Sequence, residues 1–228
     1  MSEESLLHSG QSGRPKQRGV PIAREGYPFI VGSAILTALV AVFGLYGLAL
    51  FFLGLTAFVC FFFRDPERFI PDQEGAVVSP ADGKILVMER VKESEFASEE
   101  TLKISIFMSV FNVHVNRIPE SGHVADVVYR PGKFVSANLD KASKDNERNA
   151  VSLTLTGGQK LIVVQIAGLI ARRIVCNIRK GDPLSRGERF GLIRFGSRLD
   201  VYLPPDTKPA VGVGDKVLAG TSILGYLP

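Results

Sequence analysis

The apolar residues of the chain follow two different patterns, one continuous and one broken into short runs. Residues 28–63 contain no charged side chain over 36 positions, whereas the apolar runs after residue 64 are only a few residues long. A single helix over the continuous run would be about 54 Å long, well beyond a hydrocarbon core of about 30 Å. The run therefore predicts two shorter apolar helices with a break near residues 43–47. Such a hairpin either crosses the bilayer or enters one leaflet.

The charges that flank this run predict its orientation. Both flanks are basic, with Arg14, Lys16, Arg18 and Arg24 before the run and Arg64 and Arg68 after it. The positive-inside rule puts both ends on the cytoplasmic side, which a hairpin satisfies and a single span does not. The run is too long and too far from Met1 for a cleaved signal peptide. We therefore expect a flexible basic segment at 1–26, a membrane hairpin at 27–63 and a domain at 64–228 on the cytoplasmic side of the cell membrane. A hairpin buried in a soluble core is the alternative.

The domain at 64–228 shows the pattern of a mainly β, β-rich α+β fold. Runs rich in Val, Ile and Leu are separated by Gly, Pro and Asp, which is typical of short strands. We predict strands at 76–78, 84–87, 102–108, 122–129, 151–156, 161–166, 191–195 and 199–203. The segment VGVGDKVLAGTSILG at 211–225 has the spacing of a lipoyl- or biotinyl-type domain, and residues 79–85 resemble its other half. No lysine occupies the usual carrier position, so we expect the barrel-sandwich architecture without the carrier function.

Composition narrows the chemistry further. The chain carries a formal net charge of +4. Cys60 and Cys176 lie far apart in sequence, which suggests neither a disulfide framework nor a zinc knuckle. The histidines His8, His114 and His123 are too scattered for a standard metal site, so no metal is expected, and no nucleic-acid partner is expected. A reducing compartment fits this cysteine usage.

Three residues could form a reactive set. Asp82 is either a turn residue or a buried acid, and His114 is either a satisfied core group or a catalyst. Ser197 follows Gly196 and, on the simplest interpretation, lies in a turn between two strands. Because glycine lacks a Cβ, Gly196 can adopt backbone angles that bring the Ser197 hydroxyl onto the Gly196 carbonyl. An acid, a base and a hydroxyl can cooperate wherever they lie in sequence.

Several motifs in register resemble the short form of phosphatidylserine decarboxylase. They are FFRDPER at 62–68, SPADG at 79–83, FNVHVNR at 111–117, KASKDNERN at 141–149, QIAG at 165–168 and RFGSR at 194–198. The resemblance extends from about Tyr27 to the C-terminus in the same order. It implies a pyruvoyl-dependent enzyme made as a proenzyme that cuts itself between Gly196 and Ser197. The products would be a β chain, 1–196, and an α chain, 197–228, whose first residue becomes the pyruvoyl group.

The same resemblance implies a substrate and a set of roles. Phosphatidylserine would be decarboxylated to phosphatidylethanolamine without a metal or a diffusible cofactor. Ser197, His114 and Asp82 would carry out the cleavage, and His114 would return a proton to the substrate carbon. Some arginines are candidate contacts for the lipid phosphate or surface: Arg172, Arg173, Arg194 and Arg198.

One departure and several alternatives remain open. Longer bacterial members have a second histidine three positions after the first, where this chain has Arg117. Either His114 serves both cleavage and turnover, or another group assists; we interpret His123 as a surface residue. The alternatives are a non-enzymatic membrane-anchored adaptor with a lipoyl-like sandwich, a pyruvoyl enzyme for a soluble amino acid, and a decarboxylase of an archaeal-type serine ether lipid. Whether identical chains associate into a homo-oligomer also stays open.

Overall fold

The computed structural model of the chain describes residues 21–92, 99–136, 145–169, 173–194 and 196–228. A short 3-10 turn at Arg24–Gly26 leads into two helices, α1 (Tyr27–Val42) and α2 (Tyr46–Phe62). The strands are β1 (Ala76–Val78), β2 (Gly83–Val91), β3 (Thr101–Met108), β4 (Val115–Arg117), β5 (Gly122–Arg130), β6 (Arg148–Leu155), β7 (Lys160–Ala167), β8 (Ile174–Cys176), β9 (Pro183–Leu184), β10 (Arg189–Ile193), β11 (Ser197–Leu203), β12 (Lys208–Pro209), β13 (Lys216–Val217) and β14 (Ile223–Tyr226). The expected mainly β fold with an N-terminal apolar hairpin is confirmed.

The two helices form an antiparallel hairpin that breaks where the sequence predicted. Gly44 has a φ of +75°, its N–H donates to the Ala41 carbonyl at 2.9 Å, and the Leu45 N–H donates to the Val40 carbonyl at 3.2 Å. This is the hydrogen-bond pattern of a Schellman cap, which satisfies the last carbonyls of α1 within the turn. Midway along the hairpin, the hydroxyls of Thr37 and Thr56 lie 3.3 Å apart.

The hairpin leaves most of its apolar side chains exposed. The helical segment Arg24–Val42 is long and apolar enough to cross a membrane, and Tyr46–Phe62 forms a shorter apolar helix. Val42, Phe43 and Tyr46 at the turn are more than 70% exposed. An apolar surface of this size on a monomer marks a membrane or protein contact. The hairpin is therefore not the buried core of a soluble protein.

Most of the domain is built on one curled antiparallel sheet of eight strands, in the order β13-β2-β3-β11-β7-β6-β5-β9. Two smaller sheets, β1-β14-β12 and β4-β10-β8, complete the domain. The segments expected to be matching halves meet: the Ile85 N–H donates to the Asp215 carbonyl at 2.9 Å, and the Gly220 N–H donates to the Ser79 carbonyl at 2.7 Å. The contact brings the loop that carries Asp82 against the C-terminal segment.

The strands on either side of Gly196 do not form the hairpin expected from the sequence. β10 lies between β4 and β8, whereas β11 lies between β3 and β7 in the large sheet. Ser197 and Arg198, expected in the turn, are already the first residues of β11. The expectation was wrong because each strand pairs with segments distant in sequence, and the chain changes sheets at Gly196.

The base of the hairpin belongs to the core of the domain. Phe62 and Phe63 are almost fully buried and form a cluster with Ala23, Val113, Val115 and Leu192. Residues 64–68, which we term the collar, follow directly and run along the domain surface. The apolar hairpin and the catalytic candidates are therefore held together by packing as well as by sequence.

Candidate active site

Ser197 is fully buried at the point where the chain enters the large sheet. It pairs with Met108 on β3 and with Ala167 on β7. Its Oγ donates to the Met108 Sδ at 3.3 Å, and a thioether is a weak acceptor. The preceding residue, Gly196, has a φ of +64°, a conformation that side chains with a Cβ rarely adopt. The junction therefore combines an unusual backbone conformation with a hydroxyl whose partner among the described residues is a weak acceptor.

His114 lies just before β4 and is fully buried. Its Nδ1 is 2.9 Å from the Asn112 carbonyl, which can only accept, so Nδ1 carries the proton and Nε2 keeps its lone pair. The Nε2 atom has no hydrogen-bond partner among the described residues. The ring packs on Phe62 with centroids 4.2 Å apart. His114 thus presents an unpaired basic nitrogen in an apolar pocket.

The environment keeps this imidazole neutral. The pKa of His114 is lowered from 6.5 to about 4, mainly by burial; the hydrogen bond with the Asn112 carbonyl opposes the shift, and the charge of Arg64 contributes to it. A histidine with this pKa is neutral at pH 7 and can accept a proton at Nε2. A backbone hydrogen bond connects His114 to the strand that leads to Ser197. The His114 carbonyl accepts from the Ile193 N–H at 3.4 Å, and Ile193 lies four residues before Ser197.

Asp82 is a buried acid rather than an exposed turn residue. One carboxylate oxygen accepts from the Arg68 guanidinium at 2.8 Å, and the other accepts from the Ala219 N–H at 2.7 Å. The tautomer of His114 is therefore fixed by Asn112 and not by Asp82. Burial lowers the pKa of Arg64, and the charge of Asp82 opposes this shift. The role of Asp82 in cleavage stays a prediction.

Three buried amide side chains, on β4, β6 and β7, are hydrogen-bonded to one another close to Ser197. The Asn149 Nδ2 donates to the Gln165 Oε1 at 3.0 Å, and the Gln165 Nε2 donates to the Asn116 Oδ1 at 2.9 Å. The Asn116 Nδ2 lies 3.9 Å from the Met108 Sδ, the same sulfur that the Ser197 hydroxyl contacts. We call Asn149, Gln165 and Asn116 the amide chain.

Arg117, at the position of the second histidine in longer relatives, has a structural environment. Its guanidinium donates to the Gly187 carbonyl at 3.0 Å, to the Pro66 carbonyl at 3.1 Å and to the Asp65 Oδ1 at 3.3 Å. Arg189 pairs with the other oxygen of Asp65 at 2.7 Å. Burial lowers the pKa of Arg117, and Arg189 lowers it further. These groups fasten the collar to the domain.

The four arginines expected to contact the lipid have different environments. Arg198 is 1% exposed and pairs with Asp200 at 2.6 Å, so it is not presented to a ligand at the surface. Arg173 is exposed, and its carbonyl accepts from the Arg194 N–H at 3.3 Å. The Arg194 guanidinium carbon lies 5.1 Å from the centroid of the Phe29 ring on α1. Arg172 lies outside the described residues, and His123 is exposed as expected.

Some residues that contact the candidate catalytic groups had no role predicted from the sequence. Phe62, Asn112 and Met108 contact His114 or Ser197 directly. The amide chain carried a readable signal at Gln165, which interrupts the otherwise apolar run at 161–167. A polar residue at a buried strand position requires a hydrogen-bond partner. The pattern could therefore have predicted a buried amide there, although not which groups it meets.

Comparison with known proteins agrees with the motifs. The family described as phosphatidylserine decarboxylase matches residues 55–225. A protein of Geotalea uraniireducens named phosphatidylserine decarboxylase proenzyme is 53% identical over 213 residues, covering 93% of this chain and all of that protein. Similarly named proteins of Desulfotalea psychrophila and Syntrophus aciditrophicus are 54% and 55% identical, covering 92% and 90% of this chain and 99% and 96% of their own lengths. The chain belongs to the phosphatidylserine decarboxylase family.

Proposed function

We propose that the chain is a proenzyme that cuts itself between Gly196 and Ser197 and then decarboxylates phosphatidylserine to phosphatidylethanolamine at a membrane surface. The observation that carries the proposal is the Gly196–Ser197 junction, where a positive φ precedes a buried hydroxyl whose partner within the described part of the chain is a thioether. Family membership and the names of the relatives support the substrate and the proenzyme state. They do not favour the non-enzymatic adaptor.

In the first step of cleavage, the Nε2 of His114 accepts the Ser197 hydroxyl proton as Oγ attacks the Gly196 carbonyl carbon. The C–N bond between the two residues breaks, the Ser197 nitrogen takes up the proton, and an ester remains. Removal of the Ser197 Cα proton then breaks the Cβ–Oγ bond, so Gly196 leaves as a carboxylate. The enamine left behind tautomerises, and water hydrolyses it to a keto group with release of ammonia.

The surroundings of Ser197 fit a pyruvoyl group at this position. All seven residues of β11 are buried, and the strand is hydrogen-bonded between β3 and β7. A cut before Ser197 therefore leaves the new chain end anchored beside Met108 and Ala167. A pyruvoyl group supplies an electron-accepting carbonyl that stabilises the carbanion left by loss of carbon dioxide.

His114 serves turnover as well as cleavage. Its neutral imidazole holds a bare Nε2 in a pocket closed by Phe62, and this atom carries the proton that returns to the substrate carbon. Arg117 donates to three acceptors around the collar and supplies no second base. One histidine therefore covers the roles that longer relatives divide.

The hairpin keeps the active site at the height of the lipid head groups. Its base packs on His114 through Phe62, while its outer surface is apolar and exposed. Arg173 and Arg194 supply positive charge for the substrate phosphate, and the Arg194 guanidinium lies beside Phe29. Both ends of the hairpin lie on one side of the bilayer, and the basic flanks assign that side to the cytoplasm.

The proposal is tested by Ser197→Ala with Ser152→Ala as the matched control, since Ser152 is a half-buried serine on β6. Ser152→Ala should yield fragments 1–196 and 197–228 and release carbon dioxide from phosphatidylserine vesicles. Ser197→Ala should remain uncut and inactive. Free serine and a serine ether lipid serve as competing substrates. A cut, active Ser197→Ala variant, or a parent that acts on free serine and not on the vesicles, would contradict the proposal.

A further inference from the structure

The amide chain has one orientation, which is fixed by a backbone carbonyl. The Gln165 Nε2 lies 3.4 Å from the Val175 carbonyl oxygen as well as 2.9 Å from Asn116. A backbone carbonyl only accepts, so the atom of Gln165 that faces it must be the nitrogen. The Asn116 atom that faces the same nitrogen must then be its oxygen. The Asn116 NH2 group is thereby directed away from Gln165 and towards Met108.

That NH2 group is a strong donor with a weak acceptor. Asn116 is fully buried, and the acceptor recorded for its Nδ2 within the described residues is the Met108 thioether at 3.9 Å. Buried amide donors in folded proteins normally have a carbonyl, a carboxylate or water as partner. The site therefore holds a preoriented donor whose hydrogen-bonding capacity the uncut chain scarcely uses.

The donor lies next to the bond that is cut. The Met108 sulfur lies 3.9 Å from the Asn116 Nδ2 and 3.3 Å from the Ser197 Oγ, so both groups contact the same side chain. Methionine is unbranched and flexible, and a change of its rotamer opens the space between them. An oxygen that gains negative charge at the Gly196–Ser197 junction would then have the Asn116 N–H as a preoriented donor.

We propose that Asn116 donates a hydrogen bond to the oxygen that becomes negatively charged during self-cleavage, and that Gln165 and Asn149 are positioning residues that aim it. The proposal rests on the proposed function, because it concerns the same bond. It gives one role to residues from three separate motifs, FNVHVNR, QIAG and KASKDNERN.

The test is a pulse-chase of the full chain in a cell-free system with phospholipid vesicles, which follows conversion of the 228-residue chain into fragments 1–196 and 197–228. Asn116→Asp keeps the acceptor that faces Gln165 and replaces the donor by a carboxyl. Because a preorganised donor contributes about 100-fold or more, cleavage at pH 8 should slow by about that factor. At pH 6 the buried carboxyl regains a proton and can donate, so cleavage should partly recover.

Controls separate this role from folding and from failure of the proposed function. Asn177→Asp and Gln159→Glu make the same chemical changes at an exposed and a half-buried position and should cleave at the parental rate. Gln165→Glu, which removes the aiming donor, should slow cleavage by a smaller factor. Circular dichroism verifies the fold, and Asn116→Ala replaces Asn116→Asp if the latter does not fold.

The outcomes divide as follows. Slow cleavage with recovery at pH 6, or slow cleavage by a folded Asn116→Ala variant, supports the proposal. Parental rates in Asn116→Asp or Asn116→Ala, or equal slowing of Asn116→Asp at both pH values, overturn it. Hydroxylamine cleaves esters and therefore shows which step of self-cleavage is blocked. If hydroxylamine splits an uncut variant into the two fragments, that variant has already formed the ester. If the parent chain also stays uncut, the proposed function itself has failed.

Discussion

Two buried polar clusters lie at opposite ends of the short strand β4, and they differ in how completely their polar atoms are paired. At one end, Arg117 donates to two carbonyls and to Asp65, which also pairs with Arg189. At the other end, the Nε2 of His114 has no partner among the described residues. A fully paired cluster contributes structure, whereas an unpaired buried base costs stability and retains reactivity. From this contrast we expect Arg117 to serve assembly of the domain and His114 to serve the proposed chemistry.

The sharpest test of this contrast is His114→Gln, because removal of a general base lowers a rate by about 100- to 10,000-fold. We expect self-cleavage to fall by that factor while the fold persists, and fragment formation on a gel measures it. His123→Gln makes the same change at an exposed histidine and should cleave normally. Normal cleavage by His114→Gln would remove the histidine from the mechanism.

Substitutions in the paired cluster around Arg117 should instead lower the stability of the fold. Asp65→Asn removes the buried carboxylate that Arg117 and Arg189 share and leaves the exposed Glu67 as the remaining acidic partner of Arg189; breaking a buried pair costs about 3–5 kcal/mol. Thermal unfolding in detergent measures the loss. Glu67→Gln makes the same change at a partner of Arg189 that is 68% exposed, where about 0–1 kcal/mol is expected. Equal effects of the two variants would contradict the structural role of the buried cluster.

The pH dependence sharpens the other side of the comparison. Because the pKa of His114 is lowered to about 4, cleavage and turnover should persist well below pH 6.5 and fall as pH approaches 4. The unfolded chain binds this proton near pH 6.5, so folding stability should also decrease as pH falls from about 6.5 to 4. Phe62→Ala admits water and should move the acidic limb of the pH–rate profile to higher pH, because the pKa of His114 should rise. An unchanged acidic limb would exclude burial by Phe62 as the cause of the low pKa of His114.

The smallest effect is expected at the surface arginines. Arg194→Gln removes charge beside Phe29 and should raise the KM for phosphatidylserine about tenfold or less with little change in kcat, as for loss of uniform binding. Arg179→Gln, at an exposed position in the loop between β8 and β9, is the matched control. A fall in kcat alone would mean that Arg194 acts on the reaction and not on lipid capture.

The sequence was sufficient for the main elements of the fold, whereas the roles it gives to Ser197, His114 and Asp82 stay predictions. The uncharged run and Gly44 predicted the hairpin break, because a glycine with positive φ closes the Schellman cap. The apolar runs predicted most strands. The partners of β10 and β11 could not be predicted, since sheet order depends on long-range pairing. The amide chain follows from that order, because its members lie on β4, β6 and β7. The contact of Asn112 with His114 and the ion pair of Arg198 with Asp200 are local, since each joins residues two positions apart.

The measurement that most directly tests the central claim is the intact mass of the small fragment from the purified, lipid-bound enzyme. We predict a fragment 197–228 that lacks a free amine, with a mass matching replacement of Ser197 by a pyruvoyl group. A fragment that begins with an ordinary serine, or a chain that remains whole while it releases carbon dioxide from phosphatidylserine, would contradict the claim.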